Sequence, residues 1–215
     1  MTAFASEASE LLLLLVVLTD FAVLGMSRLS ACIRAIALQG LLLALLPLVL
    51  VPLSVHAVVL AVGVFLVKAI GLPWFLRWAI REAAIRREVE PLVGYMPSMA
   101  IGAAALGVAF AVAAQLPAGP QGGLLIPAAL FTLILGLVVL ITRTKAVTQV
   151  VGYLMLENGV YLFGLTQASR VPFLVEIGVL LDVFVGVFIM GIVVFHINRE
   201  FDSMSSDNLA ELRES

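Results

Sequence analysis

The sequence predicts an all-α integral membrane protein of about seven transmembrane helices, with the N-terminus outside and the C-terminus cytoplasmic. Three observations predict it. The 215 residues are 63% hydrophobic and 12% charged, with a mean hydropathy of +1.19. A soluble domain carries about 25% charged residues, so this chain has too little polar surface to cover a soluble globule. Apolar stretches repeatedly reach the roughly 20 residues that a helix needs to cross a hydrocarbon core about 30 Å thick. Finally, the basic residues sort onto one side of those stretches.

The spans fall near residues 10–27, 31–54, 57–80, 95–116, 122–142, 146–168 and 172–197. They lack the in/out alternation of a barrel strand, and backbone groups in lipid must be satisfied internally, so helix is forced. The first run, from Leu11, is followed by Ser27-Arg28 and a second run. No convincing cleavage site intervenes, so it reads as a retained helix and not a signal peptide. The second span carries Pro47 and Pro52 towards its end. The third holds Lys68 and, five residues on, Pro73, which frees a backbone carbonyl and tends to kink the helix. Apolar and charged residues recur at helical spacing through Arg77–Glu90, so this helix is expected to continue as an amphipathic turn or two, stopped at Pro91. That segment reads as a basic anchor beside anionic lipid or as a docking surface for a cytoplasmic partner. The turn Pro117–Gly123 divides the chain. Residues 1–121 form an N-terminal four-helix part, 122–198 a three-helix part, and 199–215 a short polar tail on the cytoplasmic face.

Seven spans place Arg28, Arg34, Arg77, Arg81, Arg86, Arg87, Arg143, Lys145, Arg199 and Arg213 on one side, and only Arg170 on the other. The positive-inside rule makes the basic side cytoplasmic. An even number of spans would break the sorting. The expected location is the inner (cytoplasmic) membrane, crossed many times.

Function is read from charge at bilayer depth. A carboxylate there costs roughly 2.5–3.5 kcal/mol on insertion scales, and such groups usually face a protein interior or a water-filled cavity on an ion path. Glu157 lies mid-span among Gly152, Tyr153, Asn158, Gly159, Tyr161 and Gly164. Glycines admit a close helix, and a hydroxyl or amide beside a carboxylate can share its proton. Asp182 lies near mid-depth of the last span, and Glu176 nearer its outer end. Six residues set these two about 120° apart on an ideal helix, so they do not face one narrow groove together. Glu176 reads as a solvated access group or as one that snorkels outward. Lys68 is the cation at mid-depth; a buried lysine pairs with a carboxylate or loses its proton. Asp20 is one alternative partner, though it also reads as a charge close to the cytoplasmic end. Gln39, Gln149 and His196 are lesser candidates.

Other classes are excluded. One cysteine, Cys32, permits no internal disulfide and no thiolate cluster for zinc or iron–sulfur. No phosphate loop, His/Cys ligand set or Ser/His/Asp constellation occurs. A retinal pigment needs a lysine in the last helix, and residues 172–197 hold none. No nucleic-acid partner is expected.

The run Gln149-Val-Val-Gly152, Leu156-Glu-Asn-Gly159, Pro172-Phe-Leu-Val-Glu176-Ile-Gly and Leu181-Asp-Val-Phe-Val-Gly186 resembles component E of the hydrogenase-4 type, the HyfE family. Lys68-Ala-Ile-Gly-Leu-Pro73 and Arg86-Arg-Glu-Val-Glu-Pro91 fit the same family. The last three helices in turn resemble NuoK, the small three-helix component of complex I, and its relative among the multisubunit antiporters. In that comparison Glu157 and Asp182 match the two intramembrane glutamates of NuoK. Asp in place of Glu at the second site shortens the reach by one methylene, and Glu176 has no assigned counterpart.

The resemblance implies a membrane-arm subunit of a complex I-like, group 4 type [NiFe] hydrogenase or related oxidoreductase. Its partners would be antiporter-like and other membrane-arm subunits, together with the lipid bilayer. Nickel–iron and iron–sulfur centres would lie in partner subunits, with no cofactor in this chain and no catalysis by it alone. Glu157, Asp182, Lys68 and Glu176 would serve a proton or ion relay. Two rivals remain: a structural or assembly subunit whose acids only hold helices together, and a stand-alone secondary transporter, for which no inverted repeat is evident.

Overall fold

A computed structural model describes residues 3–50, 54–82, 94–116, 123–143, 146–167 and 184–191. Its elements are α1 (Ala3–Gly25), α2 (Leu29–Leu50), α3 (Val55–Val64), a π-helical segment (Phe65–Gly71), α4 (Leu72–Glu82), α5 (Tyr95–Ala113), α6 (Leu125–Thr142) and α7 (Ala146–Gln167). No β-strand occurs among the described residues. Among the described residues, five helices are long and apolar enough to cross a membrane: Ala5–Gly25, Leu29–Leu50, Ala57–Arg81, Tyr95–Ala113 and Leu125–Thr142. The chain is a helical membrane protein. α7, at 22 residues, has the length of a span but carries Gln149, Glu157 and Asn158.

Apolar side chains face outward as well as inward. Leu11, Leu14 and Leu18 on α1, and Leu38, Leu41 and Leu45 on α2, are exposed at spacings of three and four residues. Such continuous apolar stripes would be a liability in water and are the natural surface in lipid. Pro47 lies inside α2 without ending it.

α3, the π segment and α4 form one continuous helix. Its span of 25 residues, Ala57–Arg81, is about 37 Å long at 1.5 Å per residue and so outreaches a hydrocarbon core of about 30 Å. The surplus falls in the last turns of the amphipathic α4, and the continuation to Pro91 expected from the sequence lies outside the described residues. α4 buries Leu72, Pro73, Leu76, Ala79 and Ile80 while Trp74, Arg77, Trp78 and Arg81 face outward.

α6 and α7 make the most extensive contact in the bundle. Three glycines set it: Gly136 lies against the Leu156 backbone, Gly152 against Leu140 and Gly159 against Leu133. The paired numbers share one sum, which is the signature of an antiparallel register. A side chain at any of the three would strike backbone of the facing helix, so the close approach depends on small residues.

Two apolar clusters fill the bundle. One contains Leu24, Ile33, Leu76, Phe131 and Met155. The other contains Val16, Leu43, Leu46, Ala129 and Leu162. On every helix that supplies both, the two sets occupy opposite ends, and polar side chains occupy the level between them. Arg34, Arg77, Arg81 and Arg143 gather at the end of the first cluster, where the Arg143 Nη2 donates to the Leu24 carbonyl at 3.2 Å. Arg143 is itself buried. Burial lowers its pKa, but guanidinium starts high enough to remain a cation.

Candidate functional site

The level between the apolar clusters is built from six polar side chains. α1 supplies Asp20, α2 Gln39, the π segment Lys68, α6 Thr132, and α7 Glu157 and Asn158; all are buried. Glu157 is the twelfth residue of α7, about 16 Å along the helix and therefore close to mid-depth.

Lys68 forms a buried salt bridge to Glu157 Oε1. Its ammonium also lies 6.0 Å from the centre of the Tyr161 ring, one turn further along α7. In a dry interior each charge alone would be costly, and together each supplies the other's counter-charge.

The π segment aims Lys68. Pro73 has no N–H, and its ring would collide with the carbonyl four residues back, so the helix widens just before it. The Leu72 N–H reaches back five residues to the Val67 carbonyl. Here Pro73 produces a π segment one turn upstream, a gentler response than a break. Gly40 of α2 receives the widened turn: a methyl group there would sit 2.6 Å from the Lys68 carbonyl carbon and 2.7 Å from its oxygen.

Beside the ion pair runs a hydrogen-bonded chain. Asn158 Nδ2 donates to Gln39 Oε1 at 2.9 Å, and Gln39 Nε2 donates to Asp20 Oδ1 at 2.7 Å. Thr132 Oγ1 donates to Asp20 Oδ2 at 2.6 Å. Asp20 thus accepts at both oxygens, an arrangement that offsets the cost of its burial. Consecutive residues stitch the two halves: Glu157 meets the π segment while Asn158 meets α2, and Gln39 meets Asp20 while Gly40 meets Lys68. The whole array lies across the bundle at one depth.

No protein-family model and no solved structure matches the chain. It is 34% identical over 203 residues to the uncharacterized protein Rv0085 of Mycobacterium tuberculosis, covering 92% of each. It is 30% identical over 152 residues to hydrogenase-4 component E of Escherichia coli, covering 69% of this chain and 70% of that protein, and the Shigella flexneri protein matches equally. The chain belongs to the hydrogenase-4 component E family.

This component E relative brings together two of the residues singled out from its sequence, Lys68 and Glu157. Asp182 and Glu176 lie outside the described residues. One reading is corrected. Asp20 is neither the partner of Lys68 nor a charge at the helix end: it is fully buried and bound to Thr132 and Gln39. Gln39, a lesser candidate from sequence, is the bridge of the chain. Gln149 only satisfies the Arg143 carbonyl, and His196 lies outside the described residues. Thr132 gives no sign of itself in the sequence. A lone threonine in an apolar helix usually bonds its own backbone, as Thr142 does here, so its type carries no signal. Asp20 does carry one, since a carboxylate several residues inside a span is costly wherever it lies.

Proposed function

We propose that this chain is a membrane-arm subunit of a complex I-like hydrogenase assembly and that its polar layer is part of an ion path coupled to electron transfer in partner subunits. The observation that carries the reading is the buried Lys68–Glu157 pair joined, through neighbouring residues, to the Asn158–Gln39–Asp20–Thr132 chain. The name carried by the related Escherichia coli protein supports the assembly. Titratable groups held between two apolar clusters are expensive to keep in lipid, and an array running sideways through five helices suits lateral transfer between neighbouring subunits.

In this reading Glu157 and Lys68 exchange a proton. When the proton resides on Glu157, both groups are neutral; when it resides on Lys68, both are charged, and the field of that pair is felt at Asp20 through the amides of Asn158 and Gln39. Asp182 and Glu176 join the path on sequence grounds, as the positions that would pass an ion to the next subunit. The three-helix part, residues 122–198, would be the NuoK-like portion. Nickel–iron and iron–sulfur centres would reside in partners, and the basic end would face the cytoplasm across the inner membrane.

The test is ion pumping by the assembled complex in sealed vesicles, with Glu157→Gln, Asp182→Asn and Asp20→Asn compared with wild type. The expected result is intact assembly with pumping or coupled turnover largely lost for Glu157→Gln and Asp182→Asn. Normal pumping in assembled Glu157→Gln would overturn the ion path and leave the pair as a structural bond.

A further inference from the structure

At the basic end of the bundle a cavity of about 270 Å³ opens between the first turns of α2 and the last turns of α4. Its floor is apolar, formed by the buried Leu29, Ile33 and Ile80. Its rim is Ser30 with three exposed arginines, Arg34 from α2 and Arg77 and Arg81 from α4. Among the described residues no carboxylate lines the cavity, and the salt bridge between Lys68 and Glu157 lies elsewhere in the bundle. Three guanidinium groups converging on one concavity repel each other and concentrate an anion.

We propose that this cavity binds the headgroup of an anionic phospholipid. Guanidinium presents paired donors that match phosphate oxygens two at a time, and a hydroxyl such as that of Ser30 adds a further donor. A freely soluble phosphate would have no use for the floor, whereas a lipid has an apolar part to place there. The approach is also a lipid surface. Trp74 and Trp78 are 67% and 37% exposed, and with Arg77 and Arg81 they occupy one face of α4 at spacings of three, four and seven residues. Tryptophan at this level is characteristic of the headgroup boundary. Basic cavities between helices at that boundary suit phosphate-bearing lipids. The lipid would bridge α2 to α4 and steady the helix that positions Lys68, while the site stands or falls independently of any ion path.

The chain has two tryptophans, Trp74 and Trp78, so its tryptophan fluorescence reports on this region alone. The experiment is quenching of the purified full-length protein, in mixed detergent micelles, by brominated phosphatidylglycerol and by brominated phosphatidylcholine. Phosphatidylglycerol is expected to quench at lower mole fraction. The preference should fall about fivefold for each of Arg34→Gln, Arg77→Gln and Arg81→Gln, from about 1 kcal/mol per basic residue near a charged surface. Arg28→Gln, an exposed basic residue outside the cavity, should leave it unchanged. The three rim arginines are exposed, so the variants should keep the wild-type unfolding temperature in phosphatidylcholine. Equal quenching by the two lipids would overturn the proposal, as would a preference that survives the triple arginine variant. A preference abolished by millimolar inorganic phosphate would instead make this a soluble-phosphate site.

Discussion

Lys68 and Glu157 illustrate how much one buried pair asks of its neighbours. Removing one partner takes a counter-charge from the other, which is unfavourable in a buried setting, whereas replacing both removes the problem as well as the bond. Glu157→Gln and Lys68→Gln should therefore each lower stability without preventing assembly, and the double variant should be less affected than the sum. A double-mutant cycle by unfolding in detergent should return a coupling of about 2 kcal/mol or more. Additive effects would mean that the pair does not form. Glu157 is legible in the sequence as a site residue because its type and depth are both improbable by chance. Asp20 is legible only as an acid; its importance comes from Thr132 and Gln39, which lie 112 and 19 residues away in sequence.

Among the elements, the continuous helix from Val55 to Glu82 is the one whose irregularity matters. Pro73 could have bent it, broken it or been absorbed, and the chain absorbs it as seven π-helical residues around Lys68. Pro73→Ala restores a donor and removes the ring clash, which should let the segment tighten to an α-helix and rotate Lys68 away from Glu157. The Lys68–Glu157 coupling, measured by the same cycle in a Pro73→Ala background, should fall below about 0.5 kcal/mol, the level of independent sites. An unchanged coupling would show that the Gly40 contact, and not the proline, holds the widened turn. The positions of the helices are readable from apolar length. Their ends differ by several residues, with α1 already helical at Ala3 and α5 ending at Ala113, because hydropathy marks the lipid-facing run and not the last hydrogen bond.

For the whole molecule, the layered arrangement is the main result: apolar cluster, polar level, apolar cluster, with arginines at one end. In the orientation proposed from the positive-inside rule, that end would face the cytoplasm. Thiol labelling in intact cells can test it, because the single native cysteine, Cys32, is buried and should give little background. A Ser27→Cys variant should react with a membrane-impermeant maleimide only after permeabilisation. Gly123→Cys, on the opposite end, should react in intact cells. The reverse pattern would invert the orientation, and labelling of both in intact cells would refute the proposed topology.

Composition and apolar length by themselves determined that this is a helical membrane protein, because the bilayer imposes the same requirement on every span regardless of its neighbours. A few costly residues also marked where function should be sought. Which of them meet was decided only by the tertiary structure. Hydropathy is a property of one segment, whereas a hydrogen bond in a dry interior depends on helices brought together by glycine contacts and by a widened turn. The path from Thr132 to Asn158, and the pairing of Lys68 with Glu157, exist only once those helices have packed.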